Sequence, residues 1–503
     1  MRTSVLLGNR PRLPAAVLSS WLALAFANCI AEDKLLFGGK VAQSESGGPL
    51  IVHPKNPRYF TDGSGQAIYL TGSHTWAQWT EGFDYGAYLD FLQNYNHNFI
   101  RLWSGDYFVG VSPSPYVRTG PGMAVDGGLK ANLDQFNQAY FDRLRSCAVE
   151  ARDRGIYVAI TFFPVGNVRR TRDWNLCFFN SSNNVQGING DTNGDGHGIE
   201  AYTLGYQVRS GSGRDTRLMG YQEAFARKVI DTVNDLDNVL YEIGNEGDVS
   251  SIQWQYHLVR YIKDYEAGKA KQHPVGMTAV FDWLGSRRGN NAALFKSPAE
   301  WISPGLAPYE DNPPAGKGRK VIIADVDHIW PREPQPAWIW KCFVRGLHPI
   351  HMDWYTFGPP PTRTGISSAD QEAMRRNMGY TLTYAQKMNL AVMTPRNSIS
   401  STRYCLANPG SEYLVYQPVS QAAFTVKLSP GIYTYEWFNP QVGAVAETGS
   451  LAAAGSKKAF SAPFSGDAVL YLRRSGEESI LGLSPHPWST GQSGPCAGTQ
   501  NDC

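Results

Sequence analysis

Short apolar runs alternate with longer amphipathic stretches between residues 50 and 394. The runs have the length of buried strands, and the longer stretches repeat apolar residues with the period of an α-helix. Eight strands are therefore predicted, at 67–70, 99–103, 156–163, 239–243, 275–281, near Trp301, 320–324 and 348–352. Helices are predicted at 133–154, 218–233, 252–265 and 369–388. Strand–helix alternation over one continuous stretch predicts a (β/α)8 TIM barrel over residues 50–394.

The pattern changes after Pro395, where short segments of alternating apolar and polar residues begin. Phe424, Val426 and Leu428, for example, fall on one face of such a segment. Seven strands are predicted here, at 400–407, 412–419, 422–429, 431–438, 444–451, 457–464 and 467–474. Their number and spacing predict a small all-β sandwich domain over residues 395–474. A tail rich in Gly, Ser and Pro follows at 475–503 and is predicted to be flexible.

Residues 1–31 have the pattern of a secretory signal peptide. A basic start precedes an apolar run that ends in Ala25-Phe26-Ala27, a small-x-small cleavage site. The run is too short for a comfortable transmembrane helix, so we expect a secreted or periplasmic protein. A lipoprotein anchored through Cys29 is the alternative, but Asn28 stands where lipidation requires a small residue.

Composition narrows the possible functions. The 503 residues carry a net charge of +2 without a basic run in the mature part, so nucleic acid is not an expected partner. Aromatic residues make up 12% of the chain, as is common both in clefts that stack on sugars and in large cores. No zincin, P-loop or dinucleotide motif is present, and no C-x-x-C pair suggests zinc. The remaining reaction class is hydrolysis by paired carboxylates. We expect a monomer that requires no cofactor.

The fourth predicted strand ends in the sharpest candidate motif, Gly244-Asn245-Glu246. In a barrel of this kind the chemistry lies at the C-terminal ends of the strands. A glutamate there can protonate a glycosidic oxygen and later activate water, while the preceding amide can bind a sugar 2-hydroxyl. An exposed loop glutamate is the competing interpretation. We predict Glu246 as the general acid/base and Asn245 as a substrate-binding residue.

A second carboxylate is needed, and the seventh predicted strand continues into Asp325-Val326-Asp327-His328. Asp327 is the preferred nucleophile, Asp325 is the alternative, and either acid could instead hold His328 or Arg101 in place. A separation of about 5–5.5 Å between the two catalytic carboxylates predicts retention of anomeric configuration, and about 6.5–9.5 Å predicts inversion.

Other polar and aromatic residues follow the predicted strands and are candidates for substrate binding. The tryptophans could form stacking walls, and an arginine could keep the nucleophile ionised. With Asn245, the predicted substrate-binding residues are His74, Trp76, Arg101, Trp103, His328, Asp353 and Trp354.

One loop resembles the start of a calcium-binding loop. Asp191, Asn193 and Asp195 have the D-x-N-x-D-G spacing, but Tyr202 occupies the twelfth position, where a bidentate glutamate is expected. A plain turn is the preferred interpretation, and a partial structural calcium site remains the alternative.

Several segments resemble known glycoside hydrolases. Residues 56–62 and 68–76 resemble the opening of apiosidase-like barrels, with Asn-Pro-Arg-Tyr-Phe-Thr-Asp and Ile-Tyr-Leu-Thr-Gly-Ser-His-Thr-Trp. Residues 98–103 and 242–246 resemble the wider clan A of cellulase-like retaining glycosidases. Residues 435–440, Tyr-Glu-Trp-Phe-Asn-Pro, resemble a collagen-binding domain described in a collagenase.

The resemblance extends over about residues 50–474 and implies a secreted enzyme that cleaves O-glycosidic bonds in a complex polysaccharide. It implies Glu246 as acid/base, with Arg101 and Asn245 as partners of substrate or nucleophile. The clan has a glutamate nucleophile after strand seven, whereas this chain has Asp325 and Asp327, so retention stays open. The alternative function is a non-catalytic surface protein that binds glycan or collagen on a degenerate barrel.

Overall fold

The computed structural model describes residues 47–79, 82–103, 108–204, 217–329, 335–353, 355 and 368–476. The predicted signal peptide, Cys29, Trp354 and almost all of the predicted tail lie outside these residues. Within the described ranges, no helix combines the length and the apolar content that a membrane span requires.

Eight parallel strands form the barrel, and they are Gly72–His74, Phe99–Trp103, Tyr157–Phe163, Val239–Gly244, Val275–Thr278, Trp301–Ser303, Val321–Asp325 and His348–Met352. We number them one to eight. Each strand from the second onward pairs with the next, and the eighth pairs with the first. The backbone N–H of Asn98 donates to the Thr71 carbonyl (3.1 Å), so the sheet nearly closes. The predicted (β/α)8 fold is confirmed.

Helices surround this sheet and bury one face against it. They are α1 (Tyr85–Asn94), α2 (Gln138–Arg152), α3 (Thr171–Leu176), α4 (Arg217–Val233), α5 (Ile252–Glu266), α6 (Asn291–Lys296), α7 (Pro336–Val344) and α8 (Ser368–Lys387). Short 3-10 helices lie at Trp76–Trp79, Asn167–Arg169, Ile199–Tyr202, Val249–Ser251, Val326–His328 and Asn397–Ile399. Phe225, Val229 and Val233 of α4 are buried, as the predicted helical period requires.

Two predicted elements were wrong. Residues 67–70 do not form the first barrel strand, because Ile68 pairs back with Phe60 below the barrel (N–O 2.7 Å). The strand is the polar segment Gly72–His74, where a Cβ on Gly72 would lie 2.1 Å from the Phe99 carbonyl oxygen. The helix predicted from residue 133 begins only at Gln138, because the chain before it forms a β-strand.

Three short strand pairs lie outside the barrel sheet, and one of them includes the strand that precedes Gln138. The paired segments are Ile51–Val52 with Phe60–Thr61, Tyr116–Met123 with Leu129–Phe136, and Gly247–Asp248 with Val280–Phe281. The second pair is a hairpin between strand two and α2. It presents apolar residues at a helix-like spacing, which explains why sequence periodicity extended the helix too far.

The C-terminal strands form two antiparallel sheets. The larger has the spatial order Thr394–Pro395, Cys405–Asn408, Glu412–Gln417, Ala468–Arg474, Gly431–Asn439 and Ala444–Ala453, and the smaller pairs Phe424–Lys427 with Lys457–Phe460. Each of the seven predicted segments overlaps one of these strands, and Thr394–Pro395 is an additional short strand that was not predicted. Val415, Val426 and Leu470 lie in the apolar core between the two sheets.

The other face of the larger sheet packs against the barrel. Trp340 of α7 stacks on Tyr416 with ring centroids 6.2 Å apart, and Tyr384 of α8 meets Phe438 at 5.4 Å. The Tyr384 hydroxyl donates to Glu436 (2.7 Å) at the same contact. The central strands of the larger sheet are therefore buried on both faces, on one by the smaller sheet and on the other by two barrel helices, whereas the edge strand Ala444–Ala453 is largely exposed.

Candidate active site

Arg101 of strand two lies at the centre of the polar groups at the C-terminal end of the barrel. Its guanidinium donates to Glu242 of strand four (2.8 and 2.5 Å), to Asp325 of strand seven (2.6 Å) and to the Asn245 side-chain oxygen (2.8 Å). Burial would lower the pKa of Arg101, but Glu242 and Asp325 raise it above its ordinary value. One cation thus holds the ends of three strands in a fixed arrangement.

Asp325 is fully enclosed. Besides Arg101, it accepts from Nε2 of His74 (3.0 Å) and from the backbone N–H of Asp327 (2.9 Å). Burial opposes its charge, but His74 and Arg101 together hold the pKa of Asp325 well below its ordinary range. Its side chain is 0% exposed, so Asp325 orients its neighbours rather than facing the cleft.

The Asn245 side chain links Arg101 and His328 to Asp327. Its oxygen accepts from Arg101 and from Nε2 of His328 (2.7 Å), which fixes the orientation of the amide. Its nitrogen then donates to Oδ2 of Asp327 (3.2 Å). Burial lowers the pKa of His328 to about 3, so the ring is neutral near pH 7, and the Ser303 hydroxyl lies 2.8 Å from its Nδ1.

Asp327 lies in the 3-10 turn Val326–His328 that follows strand seven. The strand ends at Asp325, so the two aspartates do not share a strand face. Asp327 is 4% exposed, and its Oδ2 lies 4.0 Å from Nη1 of Arg101. The side chain of Asp327 is 6% exposed, whereas that of Asp325 is fully buried.

Glu246 has left-handed backbone geometry, with φ of 50°. Its N–H donates to Thr278 Oγ1 (3.3 Å), and its carbonyl oxygen accepts from the indole N–H of Trp283 (2.7 Å). Its carboxylate lies 3.8 Å from Nη2 of Arg169, whose guanidinium lies 3.8 Å from the Trp283 ring centroid. Burial lowers the pKa of Arg169. The contacts turn the 8% exposed Glu246 side chain toward a cation.

The remaining predicted substrate-binding residues differ in their surroundings. Trp76 is 45% exposed beside strand one, as a stacking platform requires. Trp103 donates to His74, its ring stacks on His74 (centroids 6.1 Å apart), and Arg101 lies 4.9 Å from its ring centroid, so protein groups already contact this ring. The Asp353 carboxylate accepts from Arg375 of α8 (2.5 and 2.8 Å) and does not join the Arg101 cluster. Trp354 lies outside the described residues.

Two further sequence features lie away from this cluster. Asn56, from the segment that resembles apiosidase-like barrels, donates to the carbonyls of Leu390 and Met393 (2.7 and 2.8 Å) and so supports the fold. The predicted calcium loop lies between strand three and α4, where Asp191 accepts backbone N–H bonds from Gly194 and Gly196 (2.7 and 3.0 Å).

Sequence analysis missed Glu242, Arg169, Thr278 and Trp283. Glu242 carried a usable signal, because a charged residue inside an otherwise apolar strand requires a buried partner, and Arg101 stands in an equally apolar strand. The other three are contributed by loops or by a neighbouring strand, and nothing local in the sequence distinguishes them.

The fold has counterparts among solved structures. One described as a glycoside hydrolase matches over 86% of this chain and 98% of its own, at 14% identity and a TM-score of 0.54. A family 5 glycoside hydrolase from Bacteroides vulgatus ATCC 8482 matches over 86% of this chain and 95% of its own, also at 14% identity and 0.54. No protein-family model and no curated protein matches the sequence. This likeness shows that the chain has the fold of these barrels.

Proposed function

We propose that the protein is a glycoside hydrolase that cleaves O-glycosidic bonds with Glu246 and Asp327. The observation that carries this proposal is the amide of Asn245, which follows strand four, precedes Glu246 and hydrogen-bonds Asp327 from strand seven. A glutamate that follows an amide at the end of strand four, with a second carboxylate bound to that amide, provides the two acids that such a hydrolase needs. The likeness to glycoside hydrolase structures supports the same reading.

The proposed reaction has two steps. Asp327 attacks the anomeric carbon while Glu246 protonates the departing oxygen, and a glycosyl–enzyme ester forms. Glu246 then removes a proton from water, which cleaves the ester and releases the sugar with retained configuration. Asn245 positions Asp327 and can bind the 2-hydroxyl beside it, a contact that strengthens in the transition state.

Asp325 is proposed as a positioning residue. Because it is fully enclosed by Arg101, His74 and the Asp327 N–H, it has no free oxygen to offer a sugar. Its negative charge instead keeps Arg101 and His74 oriented and caps the turn that presents Asp327. The side chain of Asp327 is shorter than that of a glutamate nucleophile. The turn places Asp327 beyond the end of the strand, and we propose that this compensates for the shorter side chain.

We propose an exported enzyme acting on a complex polysaccharide. The pattern of residues 1–31 supports export, and the residue patterns at 56–62 and 68–76 support an apiosidase-like type. The exposed Trp76 beside strand one supports a flat ligand such as a sugar ring. A collagen-binding role for the C-terminal domain rests on residues 435–440 alone.

The first experiment measures sugar release from a panel of plant and microbial polysaccharides by the wild type, Glu246→Gln and Glu447→Gln. Glu447 is an exposed glutamate of the C-terminal domain and serves as the matched control. We expect release by the wild type and the control, and a loss of about 10³-fold or more in Glu246→Gln. Equal release by all three would remove Glu246 from the mechanism. Binding of a glycan or of collagen without any release would favour the non-catalytic alternative.

The second experiment identifies the nucleophile. A 2-deoxy-2-fluoro glycoside of the sugar found in the panel should form a stable ester with the enzyme. Asp325 and Asp327 are separated by one residue, so peptide fragmentation assigns the added mass to one of them. We expect the label on Asp327 and a product of unchanged anomeric configuration by proton NMR. An inverted product without a label would make Asp327 a general base instead.

A further inference from the structure

A second group of acidic side chains lies outside the candidate active site, between strand three and α4. Asp191, Asp195 and Glu200 each direct one carboxylate oxygen into a space where these atoms are within 4.8 Å of one another. Asp191 and Asp195 belong to the loop already noted, and Glu200 comes from the 3-10 helix Ile199–Tyr202 that follows it. The sequence pattern did not include Glu200.

Glu200 has an unsatisfied oxygen. The residue is 5% exposed, Oε1 accepts from the Asn193 side-chain nitrogen (2.7 Å), and Oε2 is buried without a hydrogen-bond partner. Burial, with smaller contributions from the charges of Asp195 and Asp191, raises the pKa of Glu200. A buried carboxylate oxygen without a partner is unfavourable, and it is more so beside two other carboxylates. Among the described residues, no lysine or arginine forms an ion pair with Asp191, Asp195 or Glu200.

We propose that Asp191, Asn193, Asp195 and Glu200 bind a calcium ion. The donors are oxygens only, which suits a hard cation and not zinc, and calcium tolerates the irregular spacing better than magnesium does. Glu200 takes the role that sequence spacing assigned to the position of Tyr202, because the 3-10 helix turns an acid toward the loop two residues earlier.

Asn193 already marks the centre of the proposed site. Its side-chain nitrogen donates to both Asp195 Oδ2 (3.0 Å) and Glu200 Oε1 (2.7 Å), so a partial positive charge lies between two carboxylates. Rotation of the amide about its last bond exchanges nitrogen for oxygen and turns a donor into a ligand. Asp191 accepts the Gly194 and Gly196 N–H bonds, which hold the loop in shape before any ion arrives.

A calcium ion at this site would stabilise the position of the neighbouring 3-10 helix Asn167–Arg169. Gly198 donates to the Val168 carbonyl (2.9 Å), and a Cβ on Gly198 would lie 2.0 Å from the Trp174 ring. The loop is thus packed directly against α3 and against Val168, which precedes it. Calcium binding does not depend on the proposed hydrolase activity, and each can fail alone.

Isothermal titration of the EDTA-treated full chain with CaCl2 tests the proposal, with thermal unfolding as a second readout. We expect one calcium per chain, a higher Tm with excess CaCl2, and affinity at least about ten-fold weaker in Glu200→Gln. Asp264→Asn, an exposed carboxylate on α5, should bind like the wild type. Asp195→Asn, at an exposed position, replaces Glu200→Gln if that variant does not fold. Absence of calcium binding by the wild type, or unchanged affinity in the loop variant, would overturn the proposal.

Discussion

The indole N–H of Trp103 donates to Nδ1 of His74 across 3.0 Å. An indole nitrogen can only donate, so Nδ1 of His74 accepts and its hydrogen resides on Nε2. That hydrogen faces Asp325, 3.0 Å away. A directed chain of hydrogen bonds thus runs from Trp103 through His74 to Asp325, and it fixes which way each group faces.

We expect Trp103→Phe to remove the constraint that keeps the His74 hydrogen on Nε2. The phenyl ring fills most of the space but donates nothing, so His74 becomes free to carry its hydrogen on either nitrogen. Long-range ¹H–¹⁵N NMR of the histidine rings should show the Nε2–H form in the wild type and a mixture in the variant. Trp283→Phe also loses an indole hydrogen bond, to the Glu246 carbonyl, yet should leave the His74 signals unchanged. An Nδ1–H form in the wild type would contradict the assignment.

Arg101→Lys should destabilise the protein by about 3 kcal/mol or more, because lysine cannot serve Glu242, Asp325 and Asn245 at once and leaves buried charges unpaired. Arg145→Lys is the matched control. Arg145 makes a similar forked contact with Asp235 (2.6 and 2.7 Å) at the surface, where the loss should stay below about 1 kcal/mol. Urea unfolding measures both. Equal losses would mean that burial of the Arg101 contacts contributes nothing.

Stability should fall on acidification below about pH 6.5. Burial lowers the pKa of His97, His348 and His351 to about 4 and that of His328 to about 3. Between these values and the ordinary pKa near 6.5, the unfolded chain binds more protons, so the free energy of unfolding decreases as pH falls. Each histidine contributes up to about 1.4 kcal/mol per pH unit.

Urea unfolding at several pH values between 7.5 and 5 tests this expectation. His351→Leu should reduce the slope, since both ring nitrogens of His351 are buried without hydrogen-bond partners and an apolar side chain loses nothing there. A free energy of unfolding that is flat or rises on acidification would refute the assignment.

Glu246→Asn should stabilise the protein while it abolishes hydrolysis. A glutamate with φ of 50° costs about 1–2 kcal/mol, and asparagine tolerates this backbone geometry better. Glu246→Gln removes the same charge and keeps the strain, so it should not gain the same stability. Thermal and urea unfolding compare the two variants, and equal stabilities would show that backbone strain at this position is not relieved.

The barrel was predictable because most of its strands are short apolar runs and its longest helices repeat apolar residues with a helical period. Arg101 and Asn245 were also predictable, since polar residues at the ends of apolar strands point to one rim of a parallel barrel. The first strand was not, because Gly72–His74 is short and polar and is defined by its close approach to Phe99 rather than by apolar residues.

The different roles of Asp325 and Asp327 could be assigned only from the three-dimensional structure. Asp325 and Asp327 have the same side chain, and only the end of the strand and the following turn enclose one and leave the other partly open. Glu200 could not be found by spacing, because a 3-10 helix, not the loop pattern, brings it beside Asp195. Arg169 contacts Glu246 from a different loop, and a contact between residues so far apart in sequence leaves no local pattern.

The C-terminal sheet that packs on α7 and α8 has a consequence for how the chain can be divided. Modules that evolution shuffles between enzymes are joined by polar linkers and keep their own surfaces, whereas here Trp340, Tyr384 and Phe438 share one hydrophobic seam. Cutting the chain at the seam would expose large aromatic surfaces on both fragments. The two parts should therefore be expressed and engineered as one unit.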